Sequence, residues 1–442
     1  MKRRNFLSLS AGAAAATGLA ACGKSGPGDS SSGGGSGDKD AAGYWFLSGP
    51  PGEPIRQGAV DRFNKANSAN QIKVTAIQND AYKDKLKTSL GAGQAPSIIW
   101  GWGGGGLKSY VDAGQVDDLT DWFGQNAAVK DRLFKASFGP ATIDKKIYAM
   151  PCETVQPIVM LYNKEAFEKA GVAAPPQTWA ELMSILPKFN EKGIAPFSLG
   201  GQSRWTNMMW LEFLFDRIGG PEVMDAVYGG QKDAWNNPAA IDALTKTQEL
   251  VNAKGFIKGF SSITADSNAD QALLYRGKAA MELHGSWSYG IIKAEGGNFI
   301  KDGKLGFFNF PAVDGGKGDP TNTYGNAGQY LSIYSKASEH QKETAKKFFT
   351  SLLDDTEQQG WIETGGVPIV QDAKAKLAAS PDAEFLNFVF DVSSKAAGFG
   401  QSWDQALSPS SAETLLDNIA KLFQLQVTPQ QFATNMNAVI GK

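Results

Sequence analysis

The chain has 442 residues, 42% of them apolar and 20% charged, with 43 basic side chains against 45 acidic ones. This is the composition of an ordinary water-facing globular protein, and a near-neutral balance with no block of like charge excludes nucleic acid as a partner. Two cysteines and two histidines, none in a metal-ligand spacing, leave little material for a zinc site or for Ser-His catalysis, so neither metal nor cofactor is expected.

The amino terminus carries two signals in order. Arg3-Arg4-Asn5-Phe6-Leu7 has the form of a twin-arginine export motif, and Leu19-Ala20-Ala21-Cys22 that of a lipoprotein cleavage box. The apolar stretch between them, 6–21, is too short and too diluted by Ser, Gly and Thr to remain as a membrane span. Residues 1–22 are therefore read as a signal peptide, with lipidation at Cys22 and the mature protein on the outer face of the cytoplasmic membrane. Residues 23–43 are mostly Gly, Ser, Asp and Lys, the composition of a flexible tether. With Cys22 acylated, Cys152 has no disulfide partner, and its place between Pro151 and Glu153 suits a small packing residue.

About 400 residues follow the tether, more than one hydrophobic core usually serves, which favours two domains. The run 44–47 reads as a buried strand that enters a Gly-Pro loop, followed by a helix with Ile55, Ala59, Val60 and Phe63 on one side. Ile72, Val74 and Ala76 alternate as a second strand, 82–90 is helical, and 98–100 is a third strand that opens into the glycine-rich loop 101–106 and a helix from Leu107. This β-α-β-α-β order implies a parallel sheet covered by helices, with ligands at the carboxyl ends of its strands. Further strands are expected at 158–162, 279–283, 305–310 and 330–334. Helices are expected from the Asn163 cap to Gly171, from Trp179 to Phe189 and over 339–353.

The loop Gly101-Trp102-Gly103-Gly104-Gly105-Gly106-Leu107-Lys108-Ser109 is no phosphate cradle, because Leu107 separates the last glycine from Lys108 and turns that lysine about 100° around the helix. The missing side chains instead suit close approach of a ligand to the backbone. Of eleven tryptophans, Trp102, Trp205, Trp235, Trp287 and Trp403 fall in expected loops, near Glu53, Asp80, Glu153, Arg204, Gln329 and Asp404. A sugar ring presents an apolar face and a rim of hydroxyls, so flat aromatics beside planar donors and acceptors suit it. Paired carboxylates would equally serve a glycoside hydrolase, and sequence spacing does not separate the two.

Several strings together, Phe63-Asn64-Lys65-Ala66-Asn67, Gly91-Ala92-Gly93-Gln94-Ala95-Pro96, Leu161-Tyr162-Asn163-Lys164-Glu165-Ala166-Phe167, Pro175-Pro176-Gln177-Thr178-Trp179 and Gly277-Lys278-Ala279-Ala280-Met281, carry a resemblance. The chain resembles the family 1 extracellular solute-binding proteins, the carbohydrate receptors of ABC importers. It departs at Ser97, where that family usually has Asp. The resemblance implies a two-lobed periplasmic-binding-protein-like α/β fold with a hinge, an N-lobe of 44–152 plus 311–354 and a C-lobe of 153–310 plus 355–442. It places crossings near 152–154, 309–311 and 354–357. It also implies a monomer that closes on an oligosaccharide and meets ABC permease subunits, anchored to the membrane by lipid and carrying no catalytic residue. Asn79-Asp80-Ala81-Tyr82 and the run 98–103 look most like receptors for β-1,4-linked disaccharides such as xylobiose. The expected ligand-binding residues are then Glu53, Asn79, Asp80, Trp102, Glu153, Arg204, Trp205, Trp287, Gln329, Trp403 and Asp404. A surface-anchored glycoside hydrolase and an adhesion lipoprotein are the competing readings.

Overall fold

The computed structural model describes residues 40–440, and these cluster as one compact unit. The expected export motif, the expected lipidation site at Cys22 and most of the expected tether lie outside the described residues. The strands in chain order are β1 Ala42–Leu47, β2 Ile72–Ile77, β3 Ile98–Gly101, β4 Thr142–Ile143, β5 Lys146–Ile147, β6 Met150–Cys152 and β7 Thr154–Asn163. They continue with β8 Ala195–Phe197, β9 Ala279–Gly285, β10 Leu305–Phe308, β11 Thr323–Asn326, β12 Gln329–Ile333, β13 Val367–Pro368 and β14 Phe399–Gln401.

The first sheet has the order β2-β1-β3-β12-β6. Its leading part is the expected parallel unit, with β1 in register with β2 from Ala42↔Ile72 to Leu47↔Ile77 and with β3 at Tyr44↔Ile98. Crossover helices α1 (Gly52–Ala66), α2 (Asn79–Gly91) and α3 (Gly104–Asp112) follow the three strands. The apolar stripe of α1 buries Ala59, Val60 and Phe63, as periodicity requires. Ala42 is buried and paired, so the sheet begins one residue before the expected end of the tether at 43. The run 147–151 is divided between β5 in a small hairpin and β6 at the sheet edge. Cys152 is buried in β6, and burial pushes its thiol well above the usual range, so it packs rather than reacts.

The second sheet has the order β14-β11-β7-β9-β8, with β10 and β13 also on β7. Every residue of β9 is buried, as befits a strand flanked by β7 and β8. One buried apolar cluster surrounds the first sheet and also takes in Val159, Leu161 and Leu305 of the second, a separate cluster fills the rest of the second, and together they make a two-lobed α/β fold. The chain passes from one sheet to the other at Glu153, between β6 and β7, where the backbone is left-handed at φ 63°. Two crossings differ from expectation. The return lies between Asn326 and Gln329 instead of at 309–311, because Phe310 stacks on Phe213 at 4.8 Å in the second core and β11 still pairs with β7. The last change of sheet comes at β13 instead of 354–357, because the helix Asp355–Glu363 stays on α1 through an Arg62–Glu357 ion pair of 2.8 Å.

Candidate functional site

The loops after β1, β2 and β3 converge on one cleft, as parallel-sheet geometry requires. One wall carries the 47–52 loop, Asn79, Lys83, Trp100 and Trp102. The other carries Gln156, Trp205, Asp266, His284, Trp287 and Asp404, with Asn326, Gln329 and Trp361 toward the crossings. The cavity between them is about 270 Å³, and a neighbouring one of about 840 Å³ shares Lys83, Trp102, Trp205 and Asp404 as its border. The walls touch across this border. Lys83 Nζ lies 3.2 Å from Asp404 Oδ2, the Asp80 backbone N–H donates to Asp266 Oδ2 at 3.2 Å, and Gln401 Nε2 donates to the Trp102 carbonyl at 2.9 Å. Lys83 also sits 5.1 Å from the centre of the Trp102 ring.

The glycine loop serves this contact. A Cβ on Gly104 would lie 2.3 Å from Gln401 Oε1, and one on Gly105 would lie 2.2 Å from the Leu407 carbonyl oxygen. The missing side chains therefore admit the 401–407 segment of the opposite wall, where the sequence suggested approach of a ligand. Across the cleft, a Cβ on Gly285 would meet the Trp287 ring at 1.8 Å, so that glycine lets the indole fold over the strand end. Trp205 and Trp287 lie at a centroid distance of 6.1 Å, and the His284 ring meets them edge-on at 5.3 and 5.2 Å. The Trp205 indole N–H is buried without a hydrogen-bond partner. Burial holds the His284 imidazole down to about 3, so this part of the wall is neutral at working pH, and it raises the carboxyl of Asp270 to about 7. Asp80 is also raised, first by burial and then by the charge of Asp266.

Among the residues singled out from sequence, Asn79, Trp102, Trp205, Trp287, Gln329 and Asp404 line this cleft. Asp80 and Arg204 line the neighbouring cavity, where Arg204 is held by Glu413 and Asp417 at 2.8 and 2.5 Å. The other three are placed elsewhere. Glu53 turns back to accept the Gly49 N–H at 2.6 Å, closing the turn before α1. Glu153 stands behind the cleft, where both oxygens take Arg56 at 2.7 Å and Oε1 also accepts from Trp100 Nε1 at 2.8 Å. Trp403 is completely buried against Phe215 and Trp235, with ring centroids 5.0 and 6.2 Å away, and Trp235 is itself core. An indole in an expected loop was thus, in those two cases, the anchor that pins the loop to the core. Arg56, Lys83, Asp266 and Trp361 were not anticipated. Lys83 directly follows the Asn79-Asp80-Ala81-Tyr82 run, which was the available signal; Asp266 sits in a short 3₁₀ turn that no periodicity marks.

A profile of the family described as bacterial extracellular solute-binding protein matches residues 48–359, more than two thirds of the chain. The chain belongs to this family. The multiple sugar-binding protein of Streptococcus mutans is 23% identical to this solute-binding protein over 359 residues, 78% of each chain. An uncharacterized ABC transporter extracellular-binding protein of Pyrococcus horikoshii is 25% identical over 260 residues, 57% of this chain, and the alignment spans 56% of that relative's length. A solved structure from work on xylan utilization by the thermophilic bacterium Caldanaerobius polysaccharolyticus is 29% identical, with a TM-score of 0.81 over 91% of this chain and all of the other. The two-lobed fold of solute-binding proteins accounts for the two sheets and the cleft between them.

Proposed function

We propose that this protein is the lipid-anchored, extracytoplasmic sugar receptor of an ABC importer, held at the outer face of the cytoplasmic membrane through Cys22. Its ligand is a β-1,4-linked disaccharide or short oligosaccharide such as xylobiose. The observation that carries the reading is the cleft itself, which Trp102 lines on one wall and Trp205 and Trp287 on the other, with Asn79, Gln329 and Asp404 in the same lining. Indole faces suit the C–H face of a pyranose, and the amides and carboxylate suit its hydroxyls. The sugar-binding name of the streptococcal relative and the xylan context of the similar structure support the ligand class.

Because both walls contribute, a sugar binds the closed arrangement better than the open one, and that difference alone drives closure. The hinge is assigned to the backbone at Glu153, at 327–328 and before β13, and the closed face is what a permease pair engages. The lobes are accordingly read as following the two sheets. The test is intrinsic tryptophan fluorescence and thermal melting against xylo-, cello-, chito- and malto-oligosaccharides. A saturable response to one series, with that series recovered intact, supports a receptor and names its substrate. Sustained release of monosaccharide would instead make the protein a glycoside hydrolase, and silence across the panel would refute the sugar reading.

A further inference from the structure

Beneath the Trp205–Trp287 wall, β9 carries Glu282 and His284 two residues apart on one face, and the helix Ala269–Tyr275 lays Asp270 against them. One ligand atom from each of the three lies within 4.8 Å of the others, and all three side chains are buried. Both oxygens of Glu282 and Oδ2 of Asp270 have no hydrogen-bond partner. Asp270 Oδ1 accepts the Gln271 N–H and the Ser198 hydroxyl lies beside Glu282, but neither brings a positive charge, and two carboxylates buried together are unfavourable unless a countercharge lies between them. We propose that Asp270, Glu282 and His284 bind a divalent first-row metal ion such as Zn²⁺ or Mn²⁺ under the floor of the cleft.

The geometry fits that assignment. His284 Nε2 is 3.6 Å from Asp270 Oδ2, against about 3.4 Å for two donors on a tetrahedral ion with bonds of about 2.1 Å. His284 Nδ1 is 2.6 Å from Ser288 Oγ, the outer hydrogen bond that orients a metal-bound imidazole and leaves Nε2 facing the carboxylates. Gln271 reaches the same place, with Nε2 3.2 Å from His284 Nε2 and Oε1 without a partner, so the rotated amide offers a fourth oxygen. Two carboxylates and a neutral imidazole match the charge of a divalent ion. A mixed nitrogen and oxygen set suits Zn²⁺ or Mn²⁺ better than Ca²⁺, which takes oxygen ligands. The ion would tie the helix Ala269–Tyr275 to β9 and stiffen the His284 edge that supports both cleft indoles.

The full chain, stripped with a chelator and free of sugar, is titrated with Zn²⁺ and with Mn²⁺ by calorimetry and thermal melting. One ion per chain is expected, with melting raised by a few degrees at hundredfold excess over Kd. Glu282→Gln and His284→Asn should each weaken binding at least tenfold. Should these variants not fold, imidazole NMR of the parent decides, because the chain has only two histidines. Ion-dependent movement of the His284 signals supports the site. Unmoved His284 signals, binding undiminished in both variants, or no binding by the parent up to millimolar ion would each overturn it and leave two carboxyls sharing protons. No sugar enters the experiment, so its result stands apart from the receptor reading.

Discussion

Gly105→Ala tests whether the glycine loop exists for closure. Gly105 is in the first turn of α3 with an ordinary negative φ, so alanine is compatible with the local backbone and improves helix propensity by up to about 1 kcal/mol. In the closed arrangement, however, the new methyl would lie 2.2 Å from the Leu407 carbonyl oxygen and 2.6 Å from that of Ala406, distances that no backbone tolerates. The helix Trp403–Ala406 is anchored by buried Trp403 and has little room to retreat. Relief therefore means a wider cleft. Overpacking of this kind costs about 1–3 kcal/mol, all of it charged to the closed form, which corresponds to a loss of affinity of about 5- to 150-fold. The assay is calorimetric titration with the sugar named by the panel, with melting and small-angle scattering of the unliganded and saturated protein. The expected result is weaker binding, less compaction on saturation and an unliganded melting point at or above the parent's. Parental affinity together with parental compaction would refute the idea that these glycines admit the opposite wall.

Trp102→Ala and Trp287→Ala should weaken sugar binding by about 1–3 kcal/mol with little change in unliganded melting, whereas Trp403→Ala should lose about 3–5 kcal/mol of stability as a core deletion; denaturant titration beside calorimetry separates the two classes, and equal behaviour of all three would show the placement to be wrong. Glu153→Gln leaves Arg56 buried without its countercharge and should cost about 3–5 kcal/mol by urea unfolding, so a variant as stable as the parent would mean that the pair is dispensable. Glu212 is buried on the helix Trp205–Gly219 and accepts the Trp403 N–H at 2.8 Å, and burial pushes its carboxyl up from 4.5 to about 8. The folded protein then keeps a proton that the unfolded chain releases. This contribution to stability is full below about pH 4.5 and is lost as pH rises through about 8, by an amount on the order of a few kcal/mol. Relative to Glu212→Gln, the parent should lose stability across that window; parallel curves would show that Glu212 is ionised in the fold.

Much of the N-terminal architecture was legible in the chain, because it depends on local periodicity. The strands 44–47, 72–77 and 98–100 and the helices after them follow from patterns of two and 3.6, and the right-handed parallel crossover then puts Asn79 and Trp102 at the strand ends that line the cleft. Family-like strings added the two lobes. What they left open was which sheet each later segment joins and what each loop side chain touches. Trp287 and Trp403 look alike as loop tryptophans, yet one lies over a glycine at the cleft and the other fills the space between Phe215 and Trp235. Glu153 and Asp404 are both acids beside expected loops, but one is neutralised by Arg56, 97 positions earlier, and the other faces Lys83 across the cleft. Residues 309–326 stay with the second sheet because Phe310 packs on Phe213 and β11 pairs with β7, partners about 100 or more positions away in the chain. Periodicity records which face of an element is apolar, and the sequence by itself determined that much. Which faces and side chains meet is set by contacts between distant segments, whose energy exists only once the tertiary structure has brought them together.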